Sequence, residues 1–404
     1  MHVGLDLLPQ LPRLVAKLRD RRVGLLAHPA SVDRNLTHIS QVLAKLGIRP
    51  SRIFGPEHGY GGEAQDMIGV RDSVDPASGA PIVSLYGARF EDLSPSHDQL
   101  QDLDVLLIDL SDVGSRYYTF VWTAWLALQR AHGCGIQTVV LDRPNPIGGL
   151  AEQLEGRPQA REYLSFVGLE PLPVRHSLTV GEILGQLATR ERIAMGFDEA
   201  LDVVGVIGWD RRGDALAWDR PFVMPSPNMP TVDTALVYPG GCLLEGTNLS
   251  EGRGTTRPFE LLGAPWLDGH RLAKDFRACH LPGVVLRPLT FCPTFHKHAE
   301  RICGGVQVHV TDRQAFRPLA TYVAIVALAA YQAPDSFQFR TEKYEFVEDK
   351  PAIDLLTGSS ELRQAIAHGE SVGTLVQRLC PVTESDVASH ADAVARMARF
   401  QHRR

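Results

Sequence analysis

From residue 11 to residue 141 the chain keeps exchanging one hydrophobic period for another, and this limits its fold more than any other feature. Leu11, Leu14, Val15 and Leu18 recur at helical spacing, and Val23-Gly24-Leu25-Leu26-Ala27 follows as a continuous apolar run of strand length. A second helix is expected with Asn35 as its cap, Leu36, Ile39, Val42, Leu43 and Leu46 as its apolar face, and Gly47 as its stop. Short strands are predicted over 52–54 and 82–86, and Ser94-Pro95 reads as an N-cap followed by a first-turn proline. Val105-Leu106-Leu107-Ile108 is apolar at every position, as a parallel strand covered on both faces must be. A helix over 117–132 stopping at Gly133 and a strand over 136–141 complete the pattern. Strand and helix alternating through short loops predict an α/β fold with a Rossmann-like, doubly wound parallel sheet.

The alternation continues to about residue 230, through an expected helix over 180–189 and a strand over 201–207. Pro221, Pro225, Pro227 and Pro230 then crowd together, which places a domain junction there. Beyond it come strand-like runs at 284–286 and 306–310 and helical stretches at 318–331, 360–368 and 386–399. Two domains are therefore expected: a Rossmann-like one over 1–230, and a smaller α/β or α+β one over 231–404 that completes a cleft.

Composition removes several classes of function. With 41 basic and 47 acidic residues the formal net charge is −6, and Lys and Arg form no extended run, so nucleic acid is not the expected partner. The longest nearly apolar stretch, 322–331, is about half the ~20 residues needed to span a bilayer. Met1-His2-Val3-Gly4-Leu5-Asp6 lacks the basic and apolar regions of a signal peptide, so the chain as written reads as cytoplasmic. The 6 cysteines form no C-x-x-C pair and read as mostly buried thiols rather than disulfides or zinc ligands. Nothing in the sequence sets an oligomeric state.

Ligands of an open parallel sheet bind outside the carboxyl ends of its strands. Three of the predicted strands run into polar loops there: Gly55-Pro56-Glu57-His58-Gly59, Asp109-Leu110-Ser111-Asp112-Val113-Gly114-Ser115-Arg116-Tyr117-Tyr118, and Asp142-Arg143-Pro144-Asn145-Pro146. Glu57, His58, Asp112, Arg116, Asp142, Arg143 and Asn145 are thereby expected along one sheet edge. Any single acid in such a place more often caps a helix or ties a loop, but three such loops together favour a site. Past the junction, Glu245-Gly246-Thr247-Asn248-Leu249-Ser250-Glu251-Gly252-Arg253-Gly254-Thr255 mixes carboxylates, a guanidinium and small polar groups, which suits a polyhydroxylated ligand better than an apolar one. Tyr344 and Glu345, in an otherwise acidic segment, are possible late contributors.

Other motifs carry less. Gly59-x-Gly61-x-x-Ala64 fits a relaxed dinucleotide pattern, but it follows the second strand and no acid closes the next one, which argues against NAD. His296-Lys297-His298 puts two imidazoles close together with no third ligand near in sequence, so no metal is expected.

The loops around Glu57, from Asp112 to Thr119, from Asp142 to Gly149 and from Glu245 to Thr255 resemble, in this order, the exo-β-N-acetylmuramidase family, glycoside hydrolase family 171, formerly a domain of unknown function. The resemblance runs from about Arg22 to the Tyr344-Glu345-Phe346 and Ile353-Asp354-Leu355-Leu356-Thr357-Gly358 segments. It implies a Rossmann-like domain, a smaller C-terminal domain, a cleft between them, and export of many relatives. It also implies release of N-acetylmuramic acid from the non-reducing end of peptidoglycan fragments, without metal or organic cofactor.

Glycoside hydrolysis usually employs a proton-donating carboxylic acid and a second carboxylate. Glu57 is the expected general acid and Glu245 the first choice for the second group, with Asp112, Glu251 and Glu345 behind it. Substrate contacts are expected from His58, Asp112, Arg116, Tyr118, Asp142, Arg143, Asn145, Thr247, Asn248, Ser250, Glu251, Arg253, Tyr344 and Glu345. Because muramic acid carries a lactyl carboxylate, Arg253 or Arg116 is the natural discriminator. The competing reading is a two-domain protein that captures cell-wall fragments without cleaving them.

Overall fold

The computed structural model describes residues 1–62 and 73–401. Seven strands form one sheet: β1 (Val23–Ala27), β2 (Pro50–Gly55), β3 (Ser73–Val74), β4 (Pro81–Ser84), β5 (Val105–Asp109), β6 (Gln137–Leu141) and β7 (Leu201–Val204). Their order is β3-β4-β2-β1-β5-β6-β7, and every neighbouring pair is parallel except β3 with β4. The six parallel strands thus follow the order of a dinucleotide-binding Rossmann sheet, with the direction of winding reversing between β1 and β5.

Alternate residues of the central strands enter two separate hydrophobic clusters. Leu106 and Ile108 of β5 join the cluster of Trp122, Trp125 and Leu184, whereas Val105 and Leu107 join that of Leu14, Leu18, Ile39 and Leu43. The period of two along a strand therefore meets apolar cover on both faces, which is why these strands read as unbroken apolar runs. The first cluster continues without interruption to Leu236, Ile325 and Leu355, so the C-terminal half shares a core with one face of the sheet.

That half contains an antiparallel sheet of β8 (Leu261–Ala264), β9 (Val284–Phe291) and β10 (Cys303–Val310), in the order β8-β10-β9. Between the two sheets lies a helix the sequence reading missed, Val232–Gly241. Its proline, Pro239, and the paired glycines after it look like loop residues. The glycines are there for contact: a Cβ on Gly240 would collide with the Pro318 carbonyl of the Pro318–Gln332 helix packed against it. No helix among the described residues is long and apolar enough to cross a membrane.

Several predicted boundaries move for local reasons. The second helix runs over Ile39–Lys45 and is capped by His38, because Asp33 captures the amides of Asn35 (2.9 Å) and Thr37 (2.8 Å) in a turn. Ser96, not Ser94, caps the short helix His97–Leu100, and its hydroxyl accepts the Gln99 amide at 3.3 Å. Cys292 is exposed and Cys134 and Cys279 half-buried, so only Cys242, Cys303 and Cys380 are the interior thiols expected. The dinucleotide-like pattern ends at Ala64, outside the described residues.

Candidate active site

The loop after β2 reverses sharply. Pro56 accepts the Gly59 amide at 2.9 Å, which puts Glu57 and His58 at the corner of a turn. His58 has φ 69°, where a residue with a Cβ is strained by about 1 kcal/mol or more, and such strain gathers at functional sites. Gly55 ends the strand without a side chain because a Cβ there would strike the Tyr60 amide. Glu57 is buried, and its Oε2 accepts the Thr119 hydroxyl at 2.8 Å. Thr119 is the N-cap of the Phe120–Gly133 helix, yet its side chain makes no capping bond, being committed to Glu57 instead.

Glu245 arrives from the other half, on the 3-10 turn Cys242–Gly246 that continues the Val232–Gly241 helix. Its Oε1 accepts Arg253 Nη2 at 2.7 Å and its Oε2 accepts the Tyr344 hydroxyl at 2.8 Å. Arg253 lies 5.3 Å from the centre of the Phe259 ring, and Phe259 meets Tyr238 edge-on at 4.8 Å. Tyr344 and Val347 exchange both backbone hydrogen bonds across Glu345 and Phe346, whose φ values are 44° and 69°. Such a turn ordinarily asks for Asn-Gly. Here Phe346 is held among Tyr86, Phe90 and Phe166 at ring separations of 6.0, 6.2 and 6.1 Å, which opposes the strain. Glu345 is thereby turned inward, with the Tyr86 hydroxyl 3.5 Å from its Oε2.

These groups meet in one cavity. Of the residues expected from sequence, it gathers Glu57, His58, Tyr118, Glu245, Arg253, Tyr344 and Glu345. It adds Thr119, Ser226, Asn228 and Tyr238, which sequence reasoning passed over. Ser226 and Asn228 lie in the proline-rich stretch, whose density of prolines hid them as linker; Tyr238 lies on the missed helix. Burial pushes the hydroxyls of Tyr118, Tyr238 and Tyr344 well above the ordinary tyrosine range, and the Glu245 charge adds to this for Tyr238 and Tyr344. All three stay protonated and can donate hydrogen bonds.

The other expected residues lie outside this cavity. Asp112 accepts the Gly114 amide at 2.6 Å and lies 3.1 Å from His176. Arg116 is fully buried and donates to the carbonyls of Arg157 (2.9 Å), Leu172 (2.9 Å) and Leu356 (2.6 Å); burial brings it down to about 10, still a cation at neutral pH. Asp142 accepts the Thr179 hydroxyl at 2.6 Å and the Gly181 amide at 2.8 Å, fastening the start of the Val180–Arg190 helix to the sheet. Burial pushes Asp142 up to about 7, against the pull of Thr179.

Arg143 forks onto Asp109, and Asn145 bridges the Leu178 carbonyl and the Ile147 amide at 3.1 Å each. Thr247 and Ser250 bond within their own turn, and Asn248 ties the loop to Ser336 and Gln338. Glu251 is fully buried among Arg253 (3.3 Å), His296 (2.9 Å) and Lys297 (3.0 Å). Burial alone would raise its carboxyl, but Lys297, His296 and Arg253 together hold it well below the usual range. Among the described residues no group of three or more His, Cys, Asp or Glu is placed to hold a metal ion.

The crevice at the winding reversal, where a Rossmann sheet receives its dinucleotide, holds Arg143 and Arg220 instead. Arg220 pairs with Asp6 at 2.7 Å and donates to the Val32 carbonyl at 3.2 Å.

A Rossmann-like sheet whose polar cavity lies off the nucleotide crevice, where a second α/β unit adds carboxylates and hydrogen-bonding phenols, makes an α/β protein with a site suited to a polyhydroxylated ligand. Residues 23–233 match the N-terminal and residues 236–385 the C-terminal model of exo-β-N-acetylmuramidase NamZ, and the chain belongs to that glycosidase family. It is 40% identical over 377 residues to the peptidoglycan β-N-acetylmuramidase NamZ of Bacillus subtilis, covering 93% of this chain and 86% of that one. A crystal structure of a DUF1343 family protein from Bacteroides fragilis superposes with a TM-score of 0.78 at 28% identity, covering 100% of this chain and 97% of that one. A second from the same organism gives 0.72 at 23% identity, covering 97% and 96%, and speaks to the fold alone. Membership of a glycosidase family does not favour the reading of a non-catalytic capture protein.

Proposed function

We propose that the protein releases N-acetylmuramic acid from the non-reducing end of peptidoglycan fragments, with the reaction taking place in the cavity shared by Glu57 and Glu245. The observation that carries this reading is the convergence of carboxylates from both halves of a muramidase-family chain on one cavity. The cavity is lined mostly by polar and hydrogen-bonding side chains, which suits a sugar better than an apolar ligand.

In this reading Glu57 protonates the leaving glycosidic oxygen, and Thr119 fixes its carboxyl through Oε2. Glu245, paired with Arg253, is the carboxylate that faces the positive charge developing on the sugar. Ser226, Asn228 and the protonated Tyr118 and Tyr238 supply hydrogen bonds to hydroxyl and acetamido groups. Arg253 is the arginine that lines the cavity, so the lactyl carboxylate is assigned to it rather than to Arg116, whose guanidinium is taken up by carbonyls.

The test is incubation with a muramic acid–glucosamine disaccharide, following free N-acetylmuramic acid. Wild type is expected to release it and Glu57→Gln to release almost none. A folded Glu57→Gln protein that keeps wild-type turnover removes Glu57 from the acid role, and an intact disaccharide after incubation with wild type removes the function.

A further inference from the structure

Behind Glu245 a line of alternating charges runs outward to the His296-Lys297-His298 turn between β9 and β10. Arg253 gives Nη2 to Glu245 at 2.7 Å, while its Nε lies 3.3 Å from Glu251. One guanidinium thus serves two buried carboxylates. Glu251 is balanced from its far side by Lys297 Nζ at 3.0 Å and His296 Nδ1 at 2.9 Å. Lys297 also donates to the carbonyls of Leu244 at 2.8 Å and Leu249 at 3.2 Å, both on the loop that carries Glu245. The turn itself is built under strain, with φ 69° at His296 and 56° at His298. His298 anchors it through Nε2 to the Asn248 carbonyl at 2.7 Å. A fully buried carboxylate, a half-buried ammonium drawn in against it and a strained turn, all outside the cavity, are hard to explain by packing alone, since an apolar residue in place of a buried charge is often at least as stable.

We propose that Lys297 is a positioning residue for Glu245. By neutralising Glu251 it leaves Arg253 to direct its Nη2 at Glu245, and by gripping Leu244 and Leu249 it fixes the loop on which Glu245 stands. Without the ammonium, Glu251 and Glu245 compete for Arg253. The guanidinium then swings toward the more deeply buried Glu251, and Glu245 loses its cation. This role rests on the function proposed above. The other charged or titratable groups near Glu245 are Tyr117, Tyr118, Tyr238, Tyr344, His58, Glu57 and Glu345 in the cavity and Cys242 on its own turn, and none of them is altered by the substitutions below.

The experiment measures kcat, KM and the pH profile of kcat/KM on the disaccharide for wild type, Lys297→Met, and Lys297→Met combined with Glu251→Gln, with melting followed for each. Lys297→Met is expected to lower kcat by roughly thirtyfold with little change in KM, and to move the acid limb of the profile to higher pH by about half a unit or more. Adding Glu251→Gln removes the competitor for Arg253, and is expected to restore most of kcat and return the acid limb. If Lys297→Met does not fold, Lys297→Gln carries the same test, because its amide still donates to the two carbonyls. A fall in kcat with an unmoved acid limb and no rescue by Glu251→Gln makes Lys297 merely structural and overturns the proposal, as does unchanged kcat in Lys297→Met. A wild type that leaves the disaccharide intact removes the proposed function and this role together. An active wild type with an unaffected variant removes this role alone.

Discussion

The loops after β2 and after β6 leave the same edge of one sheet with similar residues, Pro56-Glu57-His58 and Asp142-Arg143-Pro144-Asn145, yet they do opposite things. Glu57 takes a hydroxyl from Thr119 and lines the cavity. Asp142, Arg143 and Asn145 are met by Thr179, Asp109 and the Leu178 carbonyl, and none of them lines it. The difference lies not in the residues but in which partners the chain delivers to them. β6 has β5 on one side and β7 with the Val180–Arg190 helix beyond it, which cover Asp142, while Arg143 faces the separate crevice at the winding reversal. β2 has only the small β4–β3 edge outside it, and Glu57 and His58 of its loop share a cavity with Glu245, Arg253 and Tyr344 of the C-terminal half. An acid at a strand end becomes a functional group when the fold leaves one side of it uncovered.

Substitutions at these positions can break or sharpen that contrast. The largest effect is expected from Glu57→Gln, which should lower kcat about 10²- to 10⁴-fold while the melting temperature stays close to wild type. Asp142→Ala should do the reverse. It leaves the Thr179 hydroxyl and Gly181 amide without their acceptor, and is expected to cost about 3 kcal/mol in denaturant unfolding, with kcat of the folded fraction within about threefold of wild type. Loss of catalysis without loss of stability in Asp142→Ala would erase the distinction between the loops.

Thr119→Val tests the support of Glu57 alone. It should reduce kcat by about tenfold and cost only about 1 kcal/mol of stability, because Glu57 loses one donor while the helix loses no capping bond.

The smallest effect concerns pH. His28, at the end of β1, accepts the Ser111 amide through Nε2 at 2.9 Å, and burial, with Arg143 adding to it, brings the imidazole down to about 3. The unfolded chain therefore binds the proton first, and stability falls as pH drops below 6.5 toward 3. From pH 6.5 to 5.5 this should amount to about 1 kcal/mol in the unfolding free energy. His28→Asn, which keeps an acceptor for the Ser111 amide, should flatten that slope; an unaltered slope would free His28 of the effect.

Much of the fold was legible. Apolar runs such as Val105-Leu106-Leu107-Ile108 can be satisfied only by cover on both faces, and their alternation with helical stripes leaves little besides a parallel sheet. What escaped were places where a residue's local preference yields to a distant contact. Pro239, Gly240 and Gly241 look like a break, yet they end a helix because Pro318 presses against Gly240. Glu345-Phe346 has no turn signature, and the turn forms because Tyr86, Phe90 and Phe166 hold Phe346.

The site divides the same way. The sequence by itself determined which strand ends carry polar loops and that Glu57 and Glu245 are acids in them, because strand termini and glycine-rich turns follow from patterns a few residues long. It could not separate Arg253 from Arg116, both of which stand in polar loops beside glycine and serine. Only the tertiary structure decided that the Leu356 carbonyl, some 240 residues along the chain, closes on Arg116 while Arg253 turns to Glu245 in the cavity. A buried charge must find its partner wherever folding brings one, and that partner is set by packing between distant segments rather than by neighbours in the chain.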